Sequence, residues 1–141
     1  MLRADELLAA LTQAAGLPAV KMRFRDLTKG DSEECYAFFA EASRFDSLTQ
    51  FCAASLRQLC AALEVELTDI GALEVRPVPR EAWMIGMYDA SLPGDAEAMY
   101  GPLPPRLKIR YTLDLKLGIV DDCNVCSSKS DYVLLYWQTS G

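Results

Sequence analysis

The sequence contains no histidine at all. That absence removes Ser-His-Asp and Cys-His nucleophilic catalysis, imidazole general acid–base chemistry and every zinc site with a histidine ligand. No Walker A loop and no GxGxxG fingerprint occurs, so two glycine-rich phosphate-binding signatures are missing as well. No uncharged apolar run reaches the ~18 residues of a membrane span. The longest uncharged stretch, Leu7 to Val20, holds Thr12 and Gln13 and is broken by Gly16-Leu17-Pro18. Positive charge is in short supply: 14 Lys and Arg against 20 Asp and Glu give a net charge of −6, and the overall field repels nucleic acid and anionic membrane. Beside the apolar segment near the N-terminus, Asp5 and Glu6 stand where a signal peptide wants positive charge; it does not read as a signal peptide, and a cytoplasmic location is expected. The five cysteines are an odd number that cannot pair off, which argues against a disulfide framework.

What is present describes one globular domain over residues 1–141, with 51% apolar residues. Leu2, Leu7, Leu8, Leu11, Ala14 and Ala15 fall at helical spacings, with Asp5 and Glu6 in the first turn and Gly16-Leu17-Pro18 as the stop. Ala19 to Arg25 alternates apolar and basic residues with the period of a half-buried strand, and Thr28 to Asp31 reads as a turn. A helix is expected from about Ser32 through Tyr36, Phe38, Phe39 and Ala42. A second is marked by a capping box, Ser47 with Gln50, and by the stripe Leu48, Phe51, Cys52, Leu56, Leu59, Cys60 and Leu63. Cys35, Cys52 and Cys60 then behave as small buried hydrophobes in helices.

Beyond Glu64 the pattern turns to strand. Leu73 to Pro79 reads as an edge strand, because its prolines remove ladder donors. Trp83 to Tyr88 is apolar on both faces and is expected inside, and Asp89 to Pro105 is a long connection. Leu107, Ile109, Tyr111, Leu113, Leu115 and Leu117 alternate with Lys108, Arg110, Thr112, Asp114 and Lys116, the signature of a long strand with one wet face. After a turn placed at Asp121 to Asp131, Tyr132 to Trp137 is apolar on both faces and reads as a central strand. The expected fold class is α+β: a two-layer domain with a mainly antiparallel sheet of about five strands and two to three helices packed on one face. The strand, turn and acidic-started helix read over Val20 to Ser43 resembles the opening of an acetyltransferase domain in element order alone. The glycine-rich pyrophosphate loop of that family is missing downstream, and no family is assigned.

Cys123-Asn124-Val125-Cys126 is a lone CxxC, the weak candidate for metal; a zinc site needs two further thiolates, and a redox pair needs a helix N-terminus, whereas this one reads as a turn. Asp121-Asp122, Asp89 with Asp95 and Glu64 with Glu66 are paired acids without calcium-loop spacing and read as solvated loop ends. Pro102 to Arg106 carries a PxxP core without a basic residue at the binding offset, and reads as a rigid spacer. No cofactor is expected, and no catalytic residue.

The informative constellation is electrostatic. Lys21, Arg23 and Arg25 share one face of their strand because side chains alternate, and so do Lys108, Arg110 and Lys116, with Arg106 on the same parity. In one sheet covered by helices on its other face, they form a basic patch on an acidic chain. The expected function is a non-catalytic protein-binding domain (adaptor, assembly subunit or inhibitor/immunity-type) that docks an acidic protein surface through Lys21, Arg23, Arg25, Lys108 and Arg110. No membrane is expected as a partner, and no aromatic alternates with these charges on the wet face, which disfavours nucleic acid. The alternative is a small enzyme or ligand-binding domain whose pocket is lined by Tyr36, Trp83, Tyr88, Tyr111, Tyr136 and Trp137, with a carboxylate or Cys123 as reactive group.

Overall fold

The computed structural model describes residues 1–28, 33–70, 73–77, 96–117 and 120–139. Its elements in chain order are helix α1 (Ala4–Leu11), strands β1 (Lys21–Thr28) and β2 (Glu33–Glu41), helix α2 (Leu48–Leu63), strand β3 (Glu74–Pro77), the one-turn helix α3 (Glu97–Tyr100), and strands β4 (Lys108–Asp114), β5 (Val120–Ser127) and β6 (Asp131–Thr139). The six strands form one antiparallel sheet in the order β1-β2-β6-β5-β4-β3. It is a two-layer α+β domain with one strand more than the sequence suggested. No helix among the described residues is long and apolar enough to cross a membrane.

The two helices with clear periodicity form where expected. Ser47 is extended and its Oγ accepts from the Gln50 N–H at 3.3 Å, while Gln50 Oε1 accepts from the Asp46 N–H at 3.3 Å. This box starts α2, which buries Phe51, Leu56 and Leu59 completely against the sheet. The helix ends with Glu64 in the left-handed region at φ 58°, where the Val65 N–H reaches back to the Cys60 carbonyl at 3.0 Å. Helix α1 packs on α2, burying Leu7 and Leu11.

The expected helix over Ser32 to Ala42 is instead strand β2. Tyr36, Ala37, Phe38 and Ala40 are all buried. A short run that is apolar at consecutive positions suits a strand covered on both faces as well as it suits a buried helix, and local periodicity cannot choose. Long-range pairing chooses here: Phe38 lies opposite Met22 on one side and Leu134 on the other. Cys35 is therefore a strand residue, whereas Cys52 and Cys60 sit in α2 as expected. The proposed turn at Asp121 to Asp131 is also mostly strand. Its polar residues find cross-strand partners, with Asp121 Oδ2 accepting from the Tyr136 hydroxyl at 3.0 Å and from the Leu117 N–H at 2.8 Å. The real reversal is Ser128 to Asp131, closed by the Ser128 N–H to the Asp131 carbonyl at 3.0 Å.

Strand β6 is third in the sheet and buried on both faces, as its composition implied. Toward α1 and α2 it presents Leu134 and Tyr136; on the far face it presents Val133 and Leu135. That far face is not bare. Ala96, Tyr100 and the half-buried Met99, Leu103 and Leu107 cover it. Strand β3 is the edge strand its proline predicted. The expected interior segment Trp83 to Tyr88, Pro79 of the edge-strand reading and the turn at Lys29 to Asp31 lie outside the described residues.

The capping geometry gives a first test. Ser47→Ala should lower stability by about 1 kcal/mol and Ser47→Gly by only a few tenths, since glycine keeps the extended cap conformation accessible. Urea unfolding at constant m-value checks the order; equal losses would mean that the box does not stabilise α2.

Candidate functional site

The basic residues of β1 stand at the edge of the sheet. Lys21, Met22, Arg23, Phe24, Arg25 and Asp26 are all exposed, so this strand is not half-buried as its alternation implied. It has a neighbour on one side only among the described residues, and the helix packed against it is the one-turn α3. Register sets the faces. Lys21, Arg23 and Arg25 lie opposite Phe39, Ala37 and Cys35, hence on the far face; Met22 and Phe24 lie opposite Phe38 and Tyr36, on the helix face. Met22 is 44% exposed and Phe24 is 51% exposed, its ring 5.0 Å from that of Tyr36. Gln58 of α2 anchors the strand's start, accepting from the Val20 N–H at 2.8 Å and donating to the Val20 carbonyl at 3.1 Å.

Lys108 and Arg110 lie elsewhere. Strands β2, β6 and β5 separate β4 from β1, a gap of roughly 19 Å at the usual strand spacing. They also sit on the other face. Ile109 pairs with Cys126 and Tyr111 with Val125, so one extra residue, Arg110, is inserted between them and the side-chain parity flips. Before this bulge Ile109 points to the far face; after it Tyr111 and Leu113 point to the helices. Arg110 Nε donates to Ser127 Oγ at 2.9 Å, and Ser127 lies opposite Lys108. The single patch inferred from strict alternation therefore divides into two stripes. Lys116, beyond the end of β4, takes a left-handed φ of 55°, and Arg106 one of 58°, so neither continues the strand's alternation.

The arginines of β1 hold the chain that covers the far face. Arg23 donates through Nη1 to the Pro102 carbonyl and Arg25 through Nη1 to the Ala98 carbonyl. The Arg23 guanidinium also lies 4.5 Å above the Phe39 ring, close enough for a cation–π attraction. Gly101 is needed at this clamp. Its φ of 85° and ψ of −173° fall in a region that is essentially reserved for glycine, and a Cβ there would come within 3.2 Å of Arg23 Nη1. Between β1 and α3 the clamp leaves an open cleft of about 380 Å³, lined by Arg23, Phe24, Arg25, Cys35, Met99, Tyr100 and Gly101. A smaller cleft of about 270 Å³ lies at Lys21, Phe39, Glu41, Arg44 and Asp131.

The other candidates are dispersed. Cys123 and Cys126 sit within β5, three residues apart, so they point to opposite faces: Cys123 into the helix-side core and Cys126 into the far one. No group of three or more His, Cys, Asp or Glu poised for a metal occurs among the described residues. All five cysteines are buried as free thiols. Burial pushes Cys35 up to about 12, assisted by Glu33 and opposed by a Tyr100 hydrogen bond and by Arg25; burial and then Asp69 push Cys60 up to about 11. Burial likewise raises Cys52, Cys123 and Cys126. None has the lowered pKa of a nucleophilic thiolate. Of the aromatic residues proposed for a pocket, Tyr36 and Tyr136 are buried and Tyr111 half-buried in the helix-side core, and Trp137 packs on the far face with its Nε1 donating to Glu33 at 2.7 Å. Trp83, Tyr88, Asp89 and Asp95 lie outside the described residues.

Two outcomes follow. Gly101→Ala should cost about 1–3 kcal/mol, because alanine pays the strain of that backbone region and crowds Arg23; a neutral substitution would show that the clamp yields freely. The raised thiols set an alkaline limit. Above the ordinary value near 9 the unfolded chain releases protons that native Cys35 and Cys60 hold until about 12 and about 11, so stability should fall as pH rises through that window. Denaturant midpoints on either side of about pH 9 measure it, and a flat or rising trend contradicts it. Scans against family models, curated proteins and solved structures each find no match to this chain.

Proposed function

We propose that this chain is a non-catalytic protein-binding domain that docks an acidic partner along strand β1. The supporting observation is the combination of cations and apolar groups on one exposed edge. Lys21, Arg23 and Arg25 face one way, while Met22 and Phe24, more than two-fifths exposed, face the other. Large apolar side chains left in water are what a buried contact recovers, at roughly 25 cal/mol per Å². The cations attract and orient a partner of opposite charge, and they do so against a chain whose net charge is −6. An adaptor, an assembly subunit or an inhibitor/immunity-type protein fits this description. Lys108 and Arg110, on the opposite face with three strands between, are outside the proposed surface.

Lys21→Glu combined with Phe24→Ser should abolish recovery of the partner from lysate of the source cells, with little movement of the thermal midpoint, since both side chains are exposed. Lys108→Glu with Arg110→Glu should leave recovery intact. Undiminished capture by the β1 variant would remove this surface from consideration.

A further inference from the structure

We infer, building on the docking surface proposed above, that the partner contributes an extended segment of alternating acidic and apolar residues that joins the sheet as an added strand on the outer edge of β1. The two edges of the sheet differ in a way that selects β1. Strand β3 is four residues long and ends in Pro77, which has no N–H to donate. Short length and proline are the usual means by which an edge is made a poor template. Strand β1 has neither. It is eight residues long and without proline, and its pairing with β2 is regular from Lys21 to Asp26, with a register shift only beyond that. An edge of this kind offers a row of backbone donors and acceptors to an extended chain.

The side chains on that edge specify the occupant. Residues opposite each other on paired strands share a face. A segment added to β1 therefore places every second residue beside Lys21, Arg23 and Arg25, and the intervening ones beside Met22 and Phe24. Complementarity on both faces requires acidic residues in the first set and apolar residues in the second, over about six positions. The cleft between β1 and α3 lies at this edge, flanked by Arg23 and Arg25, and accepts one acidic side chain of the added strand. The guanidiniums are already oriented there by their bonds to Pro102 and Ala98, so their ordering cost has been met within the fold. A second copy of this chain is a poor occupant. Antiparallel pairing of β1 with itself in a continuous sheet keeps the faces aligned, and sets Lys21 or Arg23 against Arg23 or Arg25. Like charges directly opposite are destabilising.

The experiment is selection of a random library of short linear peptides on the immobilised full-length protein, followed by amide hydrogen exchange with the best binder. Enriched peptides should alternate acidic and apolar residues, lose roughly tenfold or more in affinity on Lys21→Glu with Phe24→Ser, weaken as salt is raised, and slow exchange of β1 amides. Enrichment without alternation, binders that leave β1 exchange unchanged, or no enrichment at all overturn strand addition. If the β1 variant still abolishes partner capture in that case, the docking surface stands and only its mode falls. If the variant leaves capture unchanged, the surface itself falls. A concentration-dependent dimer that the β1 variant dissociates would instead identify a second copy as the occupant, and overturn the assignment.

Discussion

Strand β6 is apolar on both of its faces, and its neighbours β2 and β5 are likewise buried on both faces over Cys35–Phe38 and Cys123–Cys126. A sheet whose centre is apolar on both sides has to be covered twice, because exposed apolar surface on either face costs free energy in proportion to its area. Helices α1 and α2 supply one cover, and the chain from Ala96 to Leu107 supplies the other. The remaining features of the molecule are consequences of that double requirement.

The second cover is thin: a one-turn helix and an irregular stretch with three prolines at Pro102, Pro104 and Pro105. Such a segment has few backbone hydrogen bonds of its own, and its carbonyls need donors. Arg23 and Arg25 provide them from the sheet edge. A stripe that looks from its charge like a solvent-facing ornament is thereby tied into the architecture, and its orientation is fixed. The same arrangement leaves the opposite face of β1 uncovered, since the helices sit over β2, β6 and the strands beyond. Met22 and Phe24 remain at the rim of the core rather than inside it. The docking surface proposed here is thus a by-product of where the two covers end.

The thiols illustrate the same logic. Five cysteines on a chain without histidine invite a reading in terms of metal or redox chemistry, and the CxxC at Cys123 and Cys126 most of all. In a strand, however, residues three apart point to opposite faces. The two sulfurs belong to different cores, and burial keeps both protonated.

By itself the sequence determined the elements whose signal is local and redundant. The Ser47–Gln50 box and the Leu48 to Leu63 stripe specify α2, and strict alternation specifies β1, because capping and side-chain period act within a few residues. It also determined which charges share the face of β1. Tertiary structure alone decided the rest. Only pairing with β1 and β6 makes Glu33–Glu41 a strand, since a continuous apolar run has no period to read. Only the bulge at Arg110 turns Lys108 and Arg110 away from the face of Arg23, because one inserted residue breaks the alternation between the residues before it and those after it. And only the strand order, three strands between β4 and β1, divides one expected patch into two, since distance across a sheet depends on topology and not on separation along the chain.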